Sequence, residues 1–106
     1  MAIALTALTH TPAPSADPLP ARQAELLHLL RHDCGSCHGL RLQGGLGPAL
    51  TPASLHTRPA PLLKAVILRG SPGTPMAPWR GLLSAADAQW LVETMKRGLP
   101  EARANR

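Results

Sequence analysis

Five consecutive residues, Cys34-Gly35-Ser36-Cys37-His38, constrain this chain more than any other feature, and they contain both of its cysteines. Two thiols with two residues between them, followed at once by an imidazole, form the C-x-x-C-H pattern of c-type haem attachment. The spacing has a mechanical reason. The two vinyl groups lie along one edge of a porphyrin, and thiols at this separation reach both of them as thioethers. The next residue then offers its imidazole to the iron from one face. Gly35 and Ser36 are small enough for the backbone to curl tightly beside the ring. A thioredoxin-like redox pair expects a strand-helix-strand context, which this sequence does not show. A structural zinc site normally has a second paired motif, although His28, His32 and His56 are available. A plain disulfide leaves the composition unexplained.

That composition is short of large rings. Aromatics are 2% of 106 residues, Trp79 and Trp90, with no Tyr and no Phe. A domain of this size normally fills its core with several of them. Hydrophobic residues nevertheless make up 44% of the chain, which excludes a disordered composition. A covalent haem supplies the large flat hydrophobe that the side chains do not. The formal net charge is +5, but the cations are scattered singly (Arg22, Arg31, Arg41, Arg58, Lys64, Arg69, Arg80), with no run beyond Lys96-Arg97. This argues against a nucleic-acid partner. No apolar stretch approaches the roughly 20 residues of a membrane-spanning helix.

The order of segments predicts an all-α chain of three main helices and loops. Residues 1–20 read as a disordered leader or the remnant of a signal peptide, with a small-residue site near Ala13-Pro14-Ser15 or at Ala16. Residues 21–100 form the domain, and 101–106 a frayed tail. The first helix is expected over Ala21–Asp33, with Leu26, Leu27 and Leu30 as its apolar stripe and Gly35 as its end. Gly39–Pro59, rich in glycine and proline, reads as irregular loop. A short helix over Pro61–Arg69 is expected to bury Leu62, Leu63, Val66 and Ile67, with Gly70 as its cap. Ser71–Gly81 holds Pro72, Pro75 and Pro78 and cannot be helix. The last helix, Ser84–Arg97, opens on a Ser84/Asp87 capping box, and Gly98 then Pro100 stop it.

A sixth iron ligand should come from a loop well downstream of His38. Met76, inside Thr74-Pro75-Met76-Ala77-Pro78-Trp79, is the leading candidate, because three prolines stiffen its loop and no helical periodicity assigns it to the core. Met95 is a rival, but its helical spacing with Leu91 and Val92 suits the core. His28, His32, His56 and His10 are further rivals. For the second ring nitrogen of His38, the backbone carbonyl of Pro48 is the chosen partner, with an ordinary turn there as the alternative. Trp79, Arg80 and Arg41 are candidate contacts to haem propionates, with a plain lid as the alternative for Trp79. Trp90 is expected to pack against Ala24 and Leu27 of the first helix.

With these residues in view, the chain resembles a class I cytochrome c. More narrowly it resembles the small periplasmic cytochrome c55X type that accompanies cytochrome cd1 nitrite reductase in denitrifying bacteria. Arg31-His32-Asp33-Cys34-Gly35-Ser36-Cys37-His38-Gly39-Leu40, Gly44-Gly45-Leu46-Gly47-Pro48-Ala49-Leu50, Gly70-Ser71-Pro72-Gly73-Thr74-Pro75-Met76, Pro78-Trp79 and Leu83-Ser84 carry the likeness, over roughly residues 21–100. Ala77 departs from it, since such cytochromes commonly place Pro directly after the ligand Met. The resemblance implies the class I cytochrome c fold around one covalent haem c, with Cys34 and Cys37 as attachment points and His38 and Met76 as axial ligands. It also implies a periplasmic location.

Three functions fit these residues. One is a monomeric electron carrier delivering single electrons to the nitrite reductase through a basic ring around the haem edge, with Arg31, Arg41 and Arg80 as the expected cations. Another is an accessory binding protein in haem d1 maturation or assembly of that reductase. The third is an open-haem sensor or peroxidase, which requires a vacant sixth position and is opposed by Met76. No acid/base pair or substrate pocket is legible beside the haem motif, so an enzyme is not expected.

Overall fold

The computed structural model describes residues 1–9 and 17–104. The candidate ligand His10, the small-residue site at residues 13–16 and the last two residues lie outside the described part. Residues 1–9 are exposed and form no helix or strand. From Pro20 the described chain is helical with no strands. Its elements are α1 (Pro20–Leu29), a π-helical turn (Leu30–Cys34), α2 (Gly35–His38), α3 (Pro52–Leu55), α4 (Ala60–Arg69), α5 (Ala85–Arg97) and α6 (Pro100–Ala104).

The core lies between α1, the π turn and α5. Leu26 and Leu30, both 0% exposed, meet Leu91, Val92, Trp90 and Met95, with Leu42, Leu55, Leu83 and Leu99 closing the sides. The apolar residues of α5 recur every three or four positions, which gives the helix one buried stripe. Leu27 packs at the margin of this cluster, whereas Ala24 is exposed and lies outside it.

Both bonds of the predicted capping box form at α5. Ser84 Oγ accepts from the Asp87 backbone N–H at 3.0 Å, and Asp87 Oδ2 accepts from the Ser84 N–H at 3.0 Å. Arg22 of α1 adds a clasp across the domain. Its guanidinium donates to Asp87 Oδ2 at 2.9 Å, to the Leu82 carbonyl at 3.0 Å and to Glu25 Oε2 at 2.8 Å. The hydrogen bond from Arg22 is the main reason that the Asp87 carboxyl lies below its ordinary pKa.

Four expectations are corrected. The first helix does not end at Gly35: the Gly35 N–H bonds back five residues to the Leu30 carbonyl, and the chain runs on helically to His38. Gly35 itself is buried with helical dihedrals, φ −62° and ψ −23°, and a Cβ there would meet the Leu40 backbone only at an ordinary contact distance of 3.4 Å, so nothing at this position stops the helix. The 39–59 loop contains α3, capped by Thr51 Oγ1 accepting from the Ser54 N–H. Leu62 of α4 is 55% exposed, not buried, and Val66 is half-buried; Leu63, Ile67 and Leu68 are the residues packed at the core margin. The expected frayed tail begins instead as α6, Pro100–Ala104, whose Glu101 accepts two hydrogen bonds of 2.8 Å from Arg31. Sequence offers no sign of a pair formed 70 residues apart.

Candidate haem-binding site

The attachment motif sits where the π turn hands over to α2. Cys34 closes the wide turn, half-buried against the core, and Cys37 is exposed one turn later. Both thiols are free, so the two cysteines are not a disulfide. Burial, reinforced by the Asp33 carboxylate, pushes the Cys34 thiol up to about 11. Ser36 turns its hydroxyl onto the Asp33 carbonyl at 2.7 Å, which fixes the intervening pair. Among the described residues no three His, Cys, Asp or Glu side chains gather as a metal site, so the zinc reading has no ligand set there.

His38 ends α2 and is held from below by a tight loop. Its Nδ1 lies 2.7 Å from the Pro48 carbonyl oxygen. The carbonyl can only accept, so Nδ1 carries the proton and Nε2 keeps its lone pair for a metal. The loop that brings Pro48 there is laced to the motif itself: the Gly47 N–H donates to the Cys37 carbonyl at 2.7 Å and the Gly44 N–H to the His38 carbonyl at 2.8 Å. At Gly47 a Cβ would lie 2.7 Å from His38 Cε1 and 2.8 Å from Nδ1. Only a residue without a side chain lets the imidazole lie flat on the loop.

Sequence reasoning missed Leu42. It adopts a left-handed backbone, φ 59°, while only 2% exposed. It donates to the Gly39 carbonyl and accepts from the Leu50 N–H, each at 2.8 Å, which turns the loop back under His38. A non-glycine residue in this conformation costs about 1–2 kcal/mol, which burial of a leucine side chain offsets. No pattern in the sequence marks such a position.

Met76 is half-buried in a loop tied at both ends. The Ser71 N–H donates to the Met76 carbonyl at 3.1 Å, and the Met76 N–H to Thr74 Oγ1 at 3.3 Å. Beyond it, the Trp79 and Arg80 N–H groups donate to the Ile67 and Leu68 carbonyls at the end of α4. Gly70, φ 73°, lets the 76–78 backbone pass so closely that a Cβ would lie 2.7 Å from the Met76 carbonyl oxygen. Trp79 is half-buried at the core margin, and Arg80 and Arg41 are exposed. Met95, by contrast, is 5% exposed inside the core cluster. His28 and His32 are exposed on the first helical rod, and His56 points its Nδ1 at its own helix, 2.9 Å from the Ala53 carbonyl oxygen.

These residues fit a haem. Two free thiols, an imidazole with its proton committed elsewhere, and a thioether on a pinned loop are the donor set that a covalent c-type haem takes. The surrounding surface fits as well: α4, Ala-Pro-Leu-Leu-Lys-Ala-Val-Ile-Leu-Arg, fully buries none of its aliphatic residues against protein.

Comparison with known proteins agrees. Residues 21–94 match the sequence profile of the family described as "Cytochrome C oxidase, cbb3-type, subunit III". Cytochrome c55X of Pseudomonas aeruginosa is 54% identical over 99 residues, covering 92% of this chain and 83% of that one. The solved structure of the c-type cytochrome NirC is 61% identical, with a TM-score of 0.75 over 76% of this chain and 94% of that one. The dihydro-heme d1 dehydrogenase of Pseudomonas aeruginosa is 40% identical over 72 residues, which cover 68% of this chain but 15% of that protein. The helical fold, the attachment motif and these likenesses converge: the chain belongs to this c-type cytochrome domain family and, within it, to cytochrome c55X, with covalently attached haem c as its cofactor and electron transfer rather than catalysis as its activity.

Proposed function

We propose that this chain is a monomeric periplasmic carrier that passes single electrons to cytochrome cd1 nitrite reductase. Haem c, when bound through Cys34 and Cys37, supplies a one-electron couple. The observation that supports an electron carrier best is the 2.7 Å contact of His38 Nδ1 with the Pro48 carbonyl. It holds the proton on Nδ1 and orients the ring, so Nε2 would be free to ligate the iron. Met76, on its tied loop, would be the second protein ligand to the iron, and a pair of protein ligands would leave no place for substrate. Trp79 lies three residues further along the chain and would serve as a propionate contact, which leaves Arg80 for the partner.

The partner is recognised by charge. Arg41 and Arg80 are exposed and form no ion pair among the described residues. Arg31, expected to join them, is committed to Glu101 and drops out of the set. Exposed cations near a haem edge speed encounter with an acidic patch more than they tighten the complex.

The ligand assignment is tested by Met76→Ala in the holoprotein. The variant should bind carbon monoxide when reduced and have a lower potential, because a thioether favours the ferrous state. An unchanged spectrum in Met76→Ala together with an altered one in Met95→Ala overturns it. The partner is tested by stopped-flow electron transfer to purified cytochrome cd1. Rates should fall as the Debye length drops below about 10 Å, and fall more for Arg41→Glu and Arg80→Glu than for Arg103→Glu.

A second reading has its own support. The relative named dihydro-heme d1 dehydrogenase carries a segment like this chain, which favours a role beside haem d1 maturation. A deletion strain separates the two: reductase that contains haem d1 but stays oxidised supports electron supply, and reductase lacking haem d1 supports maturation.

A further inference from the structure

The two imidazoles of His28 and His32 face each other on the solvent side of the first helical rod. Their ring centres are 4.3 Å apart and their planes are inclined by 40°. Both residues are exposed. Among the described residues neither ring is held by a hydrogen bond, unlike His38 and His56, whose Nδ1 atoms contact backbone carbonyls. The haem site uses neither of them.

Their approach has a local cause. In a regular α-helix a residue four positions on lies about 40° past the first around the axis. His28 lies in the last turn of α1, whereas His32 lies within the π turn. The wider turn takes up part of that overshoot and brings the second ring back over the first. The neighbouring cation is also removed: Arg31 between them is bound at 2.8 Å to both oxygens of Glu101.

We propose that His28 and His32 form a surface chelate for a divalent late transition metal, with copper(II) preferred. A metal about 2.0–2.1 Å from each donor nitrogen sits about 3.2 Å from each ring centre, so a right-angled pair of imidazoles has its centres ~4.5 Å apart. A tetrahedral pair needs ~5.2 Å by the same construction. The observed 4.3 Å lies nearer the right-angled value, and right-angled imidazole pairs are the equatorial geometry of tetragonal copper(II) or nickel(II). Copper(II) also heads the affinity order for nitrogen donors. Water completes the remaining positions, since no third side-chain ligand of the described residues joins the pair.

The test is titration of the oxidised holoprotein with copper(II) alone, read by calorimetry and by the nitrogen hyperfine pattern of the copper signal. Wild type should bind one ion with two equatorial nitrogens. His28→Gln and His32→Gln should each weaken binding by about tenfold or more, as expected when the second donor of a chelate is lost, and each should reduce the pattern to one nitrogen. His56→Gln should leave both readouts unchanged. Helical circular dichroism of each variant confirms that the rod persists, which an exposed substitution should not disturb. Absence of binding, a one-nitrogen pattern in the wild type, or an equal loss in His56→Gln overturns the proposal.

Discussion

Helices α4 and α5 lie against each other, yet they treat solvent in opposite ways. α5 carries Asp87, Gln89, Glu93, Lys96 and Arg97 among its apolar residues and still buries seven positions. α4 has one charged residue before its terminal arginine and buries none. If composition decided burial, the order would be reversed. What differs is how many sides are covered: α5 is packed by α4, α3 and α1 together, whereas α4 has α5 as its main helical neighbour and keeps part of its aliphatic surface open. The α5 side of the domain is stabilised by side chains; on the function proposed above, the α4 side and its two loops are where the haem would lie.

Removing the attachment points tests this division most strongly. Cys34→Ala with Cys37→Ala should leave a largely unfolded chain by circular dichroism, with any residual helix in α5 rather than α4. Native helix content and a cooperative thermal transition in that variant would break the comparison. Next in size is Leu91→Ala in the holoprotein. A leucine 1% exposed in the core should cost about 2–5 kcal/mol in denaturant unfolding. A loss below 1 kcal/mol would mean that α5 is not the stabilising half.

Gly47→Ala addresses the other half. The new Cβ meets the His38 ring and forces it or the loop to move, at about 1–3 kcal/mol. The change should also appear in the haem spectrum, whereas a purely structural defect would alter stability alone. Smaller still is Ser84→Ala, about 1 kcal/mol for a lost N-cap. The partner carboxylate gives a pH signature. Asp87 is held below its ordinary pKa, so its contribution is fully present above the unfolded carboxyl value near 3.9. It is lost as pH falls through the lower folded value. Asp87→Asn should flatten acid unfolding in that window. Smallest is Leu62→Ala, within about 0.5 kcal/mol for an exposed α4 residue; a core-sized loss there would show that α4 is packed more tightly than its exposure implies.

Much of the site was legible because it is local. The Cys34–His38 motif, the Pro48 carbonyl and the Ser84/Asp87 box all depend on spacings of ten residues or fewer, which the chain displays directly. The expected helices near residues 61–69 and 84–97 follow for the same reason. The features that escaped depend on partners that sequence does not pair. Arg22 reaches Asp87 and Leu82 across more than half the chain, and Arg31 pairs with Glu101 of α6, where a frayed tail is expected. Leu62 was misplaced because apolar spacing shows that a face exists but not what covers it. Gly35 escaped for a subtler reason: glycine after a helical stretch usually stops it, but here it keeps helical dihedrals and its N–H bonds back to the Leu30 carbonyl, which carries the rod through.

That continuation has a geometric consequence. A π turn is one residue inserted into a rod that does not break, and each residue of a helix advances the next by about 100° around the axis. Leu30–Cys34 therefore acts as a rotary coupling. Upstream of it, the azimuth of the rod is set by the leucines that enter the core; downstream, the same rod is re-aimed before it presents Cys37 and His38. Deleting one of residues 30–33 would leave the motif letters and a plausible helix untouched. It would also swing the metal-facing imidazole about a quarter turn away from the loop that steadies it.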